Sequence, residues 1–239
     1  MIEDLPPAQP HGPLEEVLPG VFFVTGTMKT QLMGAHWHFS RNMTVVRDGD
    51  ALTLVNAVRL DDAGLARLES IGRVAHVVRL GALHGLDDAF YRERYGATFW
   101  ALPGTTLAPG LTLDRELAVG GELPVSDASL FVFETSKLPE AILHIDRAGG
   151  VLVACDALQN WVRPDEFFSD ETRQMMTGAG FFQPANCGPL WMQVNEPRGA
   201  DFARLKELNF KHALCGHGEP LLDTAKTAYS ARFQSLFGV

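Results

Sequence analysis

The sequence predicts an α/β protein, and two stretches in its C-terminal half carry that prediction. Residues 149–158 (GGVLVACDAL) start with two glycines, continue as an apolar run without alternation, and reach a carboxylate at Asp156. Such a run is typical of a strand buried on both faces. Residues 212–220 (HALCGHGEP) have the same form and place His217 between two glycines. If both strands run the same way in one sheet, Asp156 and His217 emerge at one edge, where we expect the functional site.

The composition is that of an ordinary globular protein, with 46% hydrophobic and 21% charged residues among 239. Twenty basic against 29 acidic side chains give a net charge of −9 without a basic cluster, which argues against a nucleic-acid partner. No apolar run approaches the ~20 residues that cross a bilayer, and the acidic, proline-rich start differs from a signal peptide. Three widely spaced cysteines do not suggest a disulfide framework. We therefore predict a cytoplasmic protein without membrane association.

In the first half of the chain, strands and helices alternate. Residues 1–19 hold five prolines and indicate an extended N-terminal arm, which leaves 20–239 as the domain. Residues 34–42 are too polar and aromatic for a core element. Helical spacing predicts helices at 61–72 and 89–95. Short apolar runs bounded by turn residues predict strands at 21–25, 43–47, 51–55, 74–80 and 98–101, of which the second and third form a hairpin.

The second half continues this layered pattern. Strands are predicted at 129–133, 141–145 and 151–155, and the last two are joined by a turn at 146–150. Helices are predicted at 202–208 and 224–236. The segment 159–195 is the least regular and is rich in aromatic and methionine side chains. These side chains would fill a core, line a ligand pocket or pack against a second subunit, and a homodimer is one of these alternatives.

Polar residues with metal-ligand chemistry follow three of the predicted strands. His84, with Asp87 and Asp88 close behind it, follows one strand; Asp156 ends a second, and His217 a third. Imidazole and carboxylate groups from separate strand ends can converge on one divalent metal, and three protein ligands with an open position suit catalysis. The alternative for His84 is a structural role, capping the next helix or bonding a loop.

In the order of its landmarks the chain resembles the metallo-β-lactamase-fold superfamily over most of residues 20–237. The landmarks are the hairpin 43–55, the His84 motif with the helix and Arg92-Glu93-Arg94-Tyr95-Gly96-Ala97 after it, Cys155-Asp156-Ala157, and Cys215-Gly216-His217-Gly218. The resemblance implies a four-layer αβ/βα sandwich with one or two metals, usually zinc, and a metal-bound hydroxide as the attacking group. It implies that Asp156 is the bridging aspartate and His217 the last histidine ligand.

The chain also departs from the pattern of that family. The family signature is His-x-His-x-Asp-His, and the corresponding stretch has one histidine. Aligning His84 with the first histidine puts Asp88 on the aspartate, whereas counting back from Tyr95-Gly96-Ala97 puts His84 on the last histidine; both alignments stay open. The family's next histidine falls near 136–140, where Lys137 stands, and a protonated ammonium binds no metal. We therefore expect one metal at most: zinc first, with iron(II) or manganese as alternatives, or none.

Four further residues are candidates for the site. His36 and His38 lie two apart before the hairpin, so in an extended stretch both imidazoles point the same way and could complete the metal site. The alternative is that this stretch packs Trp37 on the body. Lys137 and Arg41 are candidates for binding an anionic group of the substrate.

Three functions follow from these residues. The first is a metal-dependent hydrolase of a small ester, thioester, lactone or amide, in which Asp88 or Asp87 accepts the proton from water. The second is a non-catalytic homologue that binds a small anionic ligand or a protein partner, with the charge of Lys137 in place of a metal. The third is a mononuclear iron oxidoreductase.

Overall fold

The computed structural model describes residues 5, 7–32 and 34–239. A seven-stranded sheet is built in the order β1 to β7, with antiparallel pairs up to β4 and parallel pairs from there on. Its strands are β1 (Glu15–Leu18), β2 (Val21–Leu32), β3 (Ala35–Asp48), β4 (Ala51–Val55), β5 (Arg73–Arg79), β6 (Thr98–Ala101) and β7 (Arg115–Glu116). Two helices belong to this half, α1 (Asp62–Ile71) and α2 (Asp88–Tyr95).

A second sheet of four strands has the order β13-β10-β9-β8, in which only the β13–β10 pair is parallel. Its strands are β8 (Ala128–Val132), β9 (Ala141–Ile145), β10 (Val151–Ala154) and β13 (His212–Cys215), and a short pair is formed by β11 (Leu158–Gln159) and β12 (Asn186–Cys187). The helices of this half are α3 (Asp170–Gly178), α4 (Pro189–Asn195), α5 (Gly199–Glu207) and α6 (Ala225–Phe237).

Three hydrophobic clusters separate four layers. In the first, Leu68 of α1 packs with Val77 of β5, so α1 and α2 cover the outer face of the large sheet. The second lies between the two sheets and contains Val153, whereas its neighbour Leu152 points to the third cluster with Phe202 of α5. Because successive side chains of β10 enter different cores, the strand carries an apolar run without alternation. The predicted four-layer αβ/βα sandwich is confirmed.

One stretch differs from the expectation. Residues 35–42 belong to β3, which pairs with β2 over the whole register from Val21↔Val46 to Leu32↔Ala35. Their polar and aromatic composition reflects a strand that extends beyond the core, with different surroundings on its two faces. The described part of the N-terminal arm lies on the domain, where β1 pairs with β2 and His11 Nε2 accepts a hydrogen bond from the Asp61 amide at 2.9 Å. Within the described ranges, helices are too short or too polar to cross a membrane.

Candidate metal centre

Two parallel strands deliver two of the candidate ligands to one edge of the second sheet. In the β10–β13 register Ala154 pairs with Cys215, so Asp156 and His217 each lie two residues beyond a paired strand end. The predicted shared edge is confirmed. His84 comes from the first sheet, in the turn between β5 and α2. The edges of both sheets therefore meet at these three side chains.

The three ligand atoms form a compact triangle. His84 Nε2 lies 3.2 Å from His217 Nε2 and 3.5 Å from Asp156 Oδ1, and His217 Nε2 lies 3.1 Å from the same Asp156 oxygen. A tetrahedral zinc with ligands at about 2.1 Å holds neighbouring ligand atoms about 3.4 Å apart. The triangle thus has the size of one face of a zinc tetrahedron, and the residues fit a single divalent metal.

The tautomer of His217 is set by the partner of its second ring nitrogen. Its Nδ1 lies 3.0 Å from the Ser40 carbonyl oxygen, which can only accept a hydrogen bond. Nδ1 is therefore the donor, and in the neutral ring Nε2 keeps a bare lone pair towards the triangle. The Trp161 ring packs on the imidazole at 4.5 Å between centroids, and Trp161 Nε1 donates to the Ser40 hydroxyl at 3.0 Å.

The turn that carries His217 is held by an asparagine of β3. Asn42 Nδ2 donates to the Cys215 and Gly218 carbonyls at 2.9 and 2.7 Å, and the Asn42 amide donates to the Gly216 carbonyl at 2.8 Å. Gly218 has φ +89°, and a Cβ there would lie 2.1 Å from the Asn160 carbonyl carbon. Only glycine fits that position, which explains the glycine after His217.

Asp156 is supported from behind by a buried carboxyl group. Glu140 is 1% exposed, and its Oε1 accepts hydrogen bonds from the amides of Asp156 and Ala157, both at 2.8 Å. Burial opposes ionisation of Asp156, but the imidazoles of His84 and His217, in their charged forms, outweigh it and hold the pKa of Asp156 well below its usual range. Burial and the neighbouring Asp156 charge raise the pKa of Glu140.

The two carboxylates predicted to accept the proton are engaged elsewhere. Asp87 forms a buried ion pair with Arg41 and accepts from the Arg59 amide at 2.7 Å. Asp88 is fully buried, and its Oδ2 accepts from Arg79 Nε at 2.7 Å. Neither residue lines the cavity described below. Guanidinium groups thus hold both carboxylates inside the fold. The sequence alone does not show these pairings.

Of the other four candidates, only Arg41 borders the site. Lys137 is a surface residue whose Nζ lies 2.7 Å from Glu196 Oε1, with the Lys137 side chain 56% exposed. His36 and His38 lie in the extended strand β3, so their side chains share one face as predicted. Neither side chain lines the cavity. The alternating residues Trp37 and Phe39 line it instead, so the histidines lie on the opposite face.

A cavity of about 610 Å³ opens over the triangle. Its floor is formed by the three candidate ligands, and its remaining walls are mainly aromatic and aliphatic. The wall residues come from the β2–β3 hairpin, the His84 turn and the segment 159–195, and include Met28, Trp37, Phe39, Leu83, Leu86, Trp161, Met176, Phe181, Leu190, Trp191 and Val194. The irregular aromatic segment of the sequence therefore contributes a pocket wall.

Sequence reasoning missed four residues that hold the candidate ligands in place: Ser40, Asn42, Glu140 and Trp161. Asparagine is unfavourable within a strand, but this signal at Asn42 needed a strand assignment that the polar composition of 34–42 did not give. Glu140 carried none, since nothing in its neighbourhood of the sequence indicates burial. Trp161 was counted with the aromatic segment, but its contact with His217 depends on the tertiary fold.

Comparisons with known proteins support the architecture. A metallo-β-lactamase from Erythrobacter litoralis is 14% identical, with 93% of this chain and 92% of that chain covered at a TM-score of 0.58. One from Hirschia baltica is also 14% identical, with 93% and 98% covered and a TM-score of 0.58. The mono-zinc form of FIM-1 from Pseudomonas aeruginosa is 16% identical, with 97% and 98% covered and a TM-score of 0.57.

Neither the family models nor the curated proteins gave a match to the chain. At such low identities the structural likeness bears on the fold and not on the activity. Together, the four layers, the ligand triangle at the meeting edges of the two sheets and the coverage of nearly the whole chain show that this protein has the metallo-β-lactamase fold.

Proposed function

We propose that the protein is a metal-dependent hydrolase of a small ester, thioester, lactone or amide, with one divalent metal, zinc, held by His84, Asp156 and His217. The observation that carries this proposal is the triangle of ligand atoms, 3.1–3.5 Å on each side, at the floor of a cavity. A solved structure of the same fold, FIM-1, is described in a mono-zinc form, which supports a one-metal site in this architecture.

A metal bound there would polarise a substrate carbonyl and lower the pKa of a water molecule to roughly 7, so that hydroxide forms near neutral pH. The chain itself positions the ligands: the Ser40 carbonyl orients His217, and Glu140 holds the backbone at Asp156.

The cavity lacks an evident proton donor. Among the described residues that line it, the titratable side chains are the three candidate ligands and Arg41, and Asp87 and Asp88 stand outside it. Hydrolysis joins the water oxygen to the carbonyl carbon, breaks the bond to the leaving atom, and gives that atom a proton. A thiolate or phenolate can leave as an anion, whereas an amide nitrogen must be protonated before its bond to carbon breaks. Thioesters and activated esters are therefore favoured over amides, by about 10²–10⁴ in rate.

The test is hydrolysis by protein from which metal has been removed and then restored. We expect activity towards an aryl ester and a thioester to vanish with the metal, to return with zinc, and to be lost in Asp156→Ala. Lys137→Ala is the matched control, because Lys137 lies on the surface and should leave the rate unchanged. Equal rates with and without metal, or a fully active Asp156→Ala variant, would refute the proposal of a metal-dependent hydrolase with its metal at this site.

One feature favours a second candidate. Two imidazoles and one carboxylate with open positions are also the ligand set of non-haem iron(II) oxygenases. If the protein is an iron oxidoreductase, anaerobically loaded iron(II) protein should consume oxygen in the presence of a thiol substrate, and zinc should inhibit it. No oxygen uptake with any thiol tested would leave the hydrolase as the better assignment.

A further inference from the structure

We infer that the substrate carries an uncharged hydrophobic chain, which occupies the cavity while its carbonyl group meets the ligand triangle. The reaction in this inference rests on the proposed hydrolase function, but the binding of an apolar chain does not. A volume of about 610 Å³ is more than a carbonyl group needs and lies within the range of small-molecule pockets, about 300–1,000 Å³. Most of the cavity is therefore available to the rest of the substrate.

The charges around the cavity disfavour an anionic chain. Among its described lining residues, the formally charged side chains are Asp156 and Arg41. Arg41 is neutralised by Asp87 on its buried side, where each side chain is 4% exposed, and its Nη1 also donates to the Ala57 carbonyl at 3.3 Å. A carboxylate or phosphate seated against the aromatic wall would lose its hydration without gaining a free cation.

The hydrophobic surface continues past the mouth of the cavity. Leu83, Leu86 and Val194 line it and are nevertheless 45%, 46% and 39% exposed. They make up three of the seven large hydrophobic side chains that are exposed in the described part of the chain. Their concentration at one opening indicates that a ligand covers them, because exposed apolar groups of a monomer are usually scattered.

The first test is a series of uncharged nitrophenyl esters, from acetate through butyrate to hexanoate, on the zinc-loaded protein. We expect kcat/KM to rise about fourfold for each added methylene, as buried hydrocarbon does on transfer from water. The nitrophenyl monoester of adipic acid has a chain of the hexanoate length that ends in a carboxylate. We expect it to react at least about a hundredfold more slowly than the hexanoate.

A binding measurement separates this inference from the hydrolase proposal. The uncharged fluorophore N-phenylnaphthylamine should bind the zinc-loaded protein and also the Asp156→Ala variant, and methyl hexanoate should displace it from both. Binding without hydrolysis of any ester would refute the hydrolase and leave the apolar site standing. Hydrolysis in which acetate and the adipate monoester match the hexanoate would overturn the apolar site and leave the hydrolase standing.

Variants at the mouth of the cavity test where the hydrophobic chain of the substrate lies. Leu86→Glu and Val194→Glu should each weaken displacement by methyl hexanoate about tenfold, since each places a charge where the chain leaves the cavity. Val119→Glu is the matched control, because Val119 is 70% exposed and does not line the cavity. Equal affinities in all three variants would contradict the placement of the chain at this mouth.

Discussion

Three carboxylates lie close to His84, one in a first group and two in a second, and their partners give the two groups different roles. Asp156 faces the cavity and contacts two imidazoles, whereas Asp87 and Asp88 face the interior and pair with guanidinium groups. A guanidinium stays charged at every relevant pH and neutralises its carboxylate permanently. An imidazole with a bare Nε2 leaves room for a metal to replace the contact. The partner of a carboxylate, more than its place in the sequence, separates the structural carboxylates from the candidate ligand here.

Removing a buried partner should give the largest effect. Asp88→Ala leaves the Arg79 guanidinium buried without its carboxylate, so we expect the free energy of unfolding to fall by about 3–5 kcal/mol, with metal content per folded chain unchanged. Urea unfolding of the metal-free protein measures this. Asp156→Ala is the comparison variant and should lose less stability in the same experiment, because Asp156 borders the cavity and its partners are imidazoles rather than a permanently charged guanidinium.

The opposite pattern would break the contrast between the two groups. If Asp88→Ala kept its stability and lost its metal, Asp88 would be a ligand, and the alignment that places it on the aspartate of the family signature would be favoured.

The next effect concerns the turn that carries His217. Asn42→Ala removes two hydrogen bonds to this turn, so we expect zinc affinity to fall about 10–100-fold, as for other residues that orient metal ligands. A competition titration with a chromophoric chelator measures the dissociation constant.

Asn195→Ala is the matched control for that variant, because Asn195 is equally buried and bonds the Leu138 amide away from the triangle. Both variants should lose stability, but only Asn42→Ala should lose affinity. Equal affinity losses would show that the effect of Asn42 is general destabilisation.

The smallest effect is expected at the surface. The Lys137–Glu196 pair is solvent-exposed on both sides, so Lys137→Ala should change the free energy of unfolding by less than about 1 kcal/mol and leave metal and ligand binding unchanged. Urea unfolding and zinc titration check both expectations. A clear loss of ligand affinity in this variant would instead revive the non-catalytic binder, in which the charge of Lys137 holds an anion.

The sequence predicted the sheets and the shared strand edge because hydrophobic patterning records burial directly. The runs that end at Asp156 and His217 are visible without tertiary information, and so is the helix after His84. The sequence does not show which face of an extended strand borders the site. His36 and His38 share one face as predicted, but Trp37 and Phe39 occupy the cavity side.

Contacts between distant strands were likewise beyond the sequence. Arg41 and Arg79 come from β3 and β5, and their pairing with Asp87 and Asp88 exists only in the folded sheet. The contact between Glu140 and the backbone amide of Asp156 is also invisible in the sequence, because the two residues are 16 positions apart. Long-range polar contacts of this kind set the roles of the acidic residues around His84.

Zinc stoichiometry is the most direct test of a single metal site on His84, Asp156 and His217. The protein would be loaded with excess zinc, desalted and analysed for metal, alongside the alanine variants of the three ligands and Lys137→Ala as the control. We predict about one zinc per chain for the wild type and the control, and close to none for the three ligand variants. Two zinc ions per wild-type chain, or full occupancy in any of the three ligand variants, would contradict the assignment.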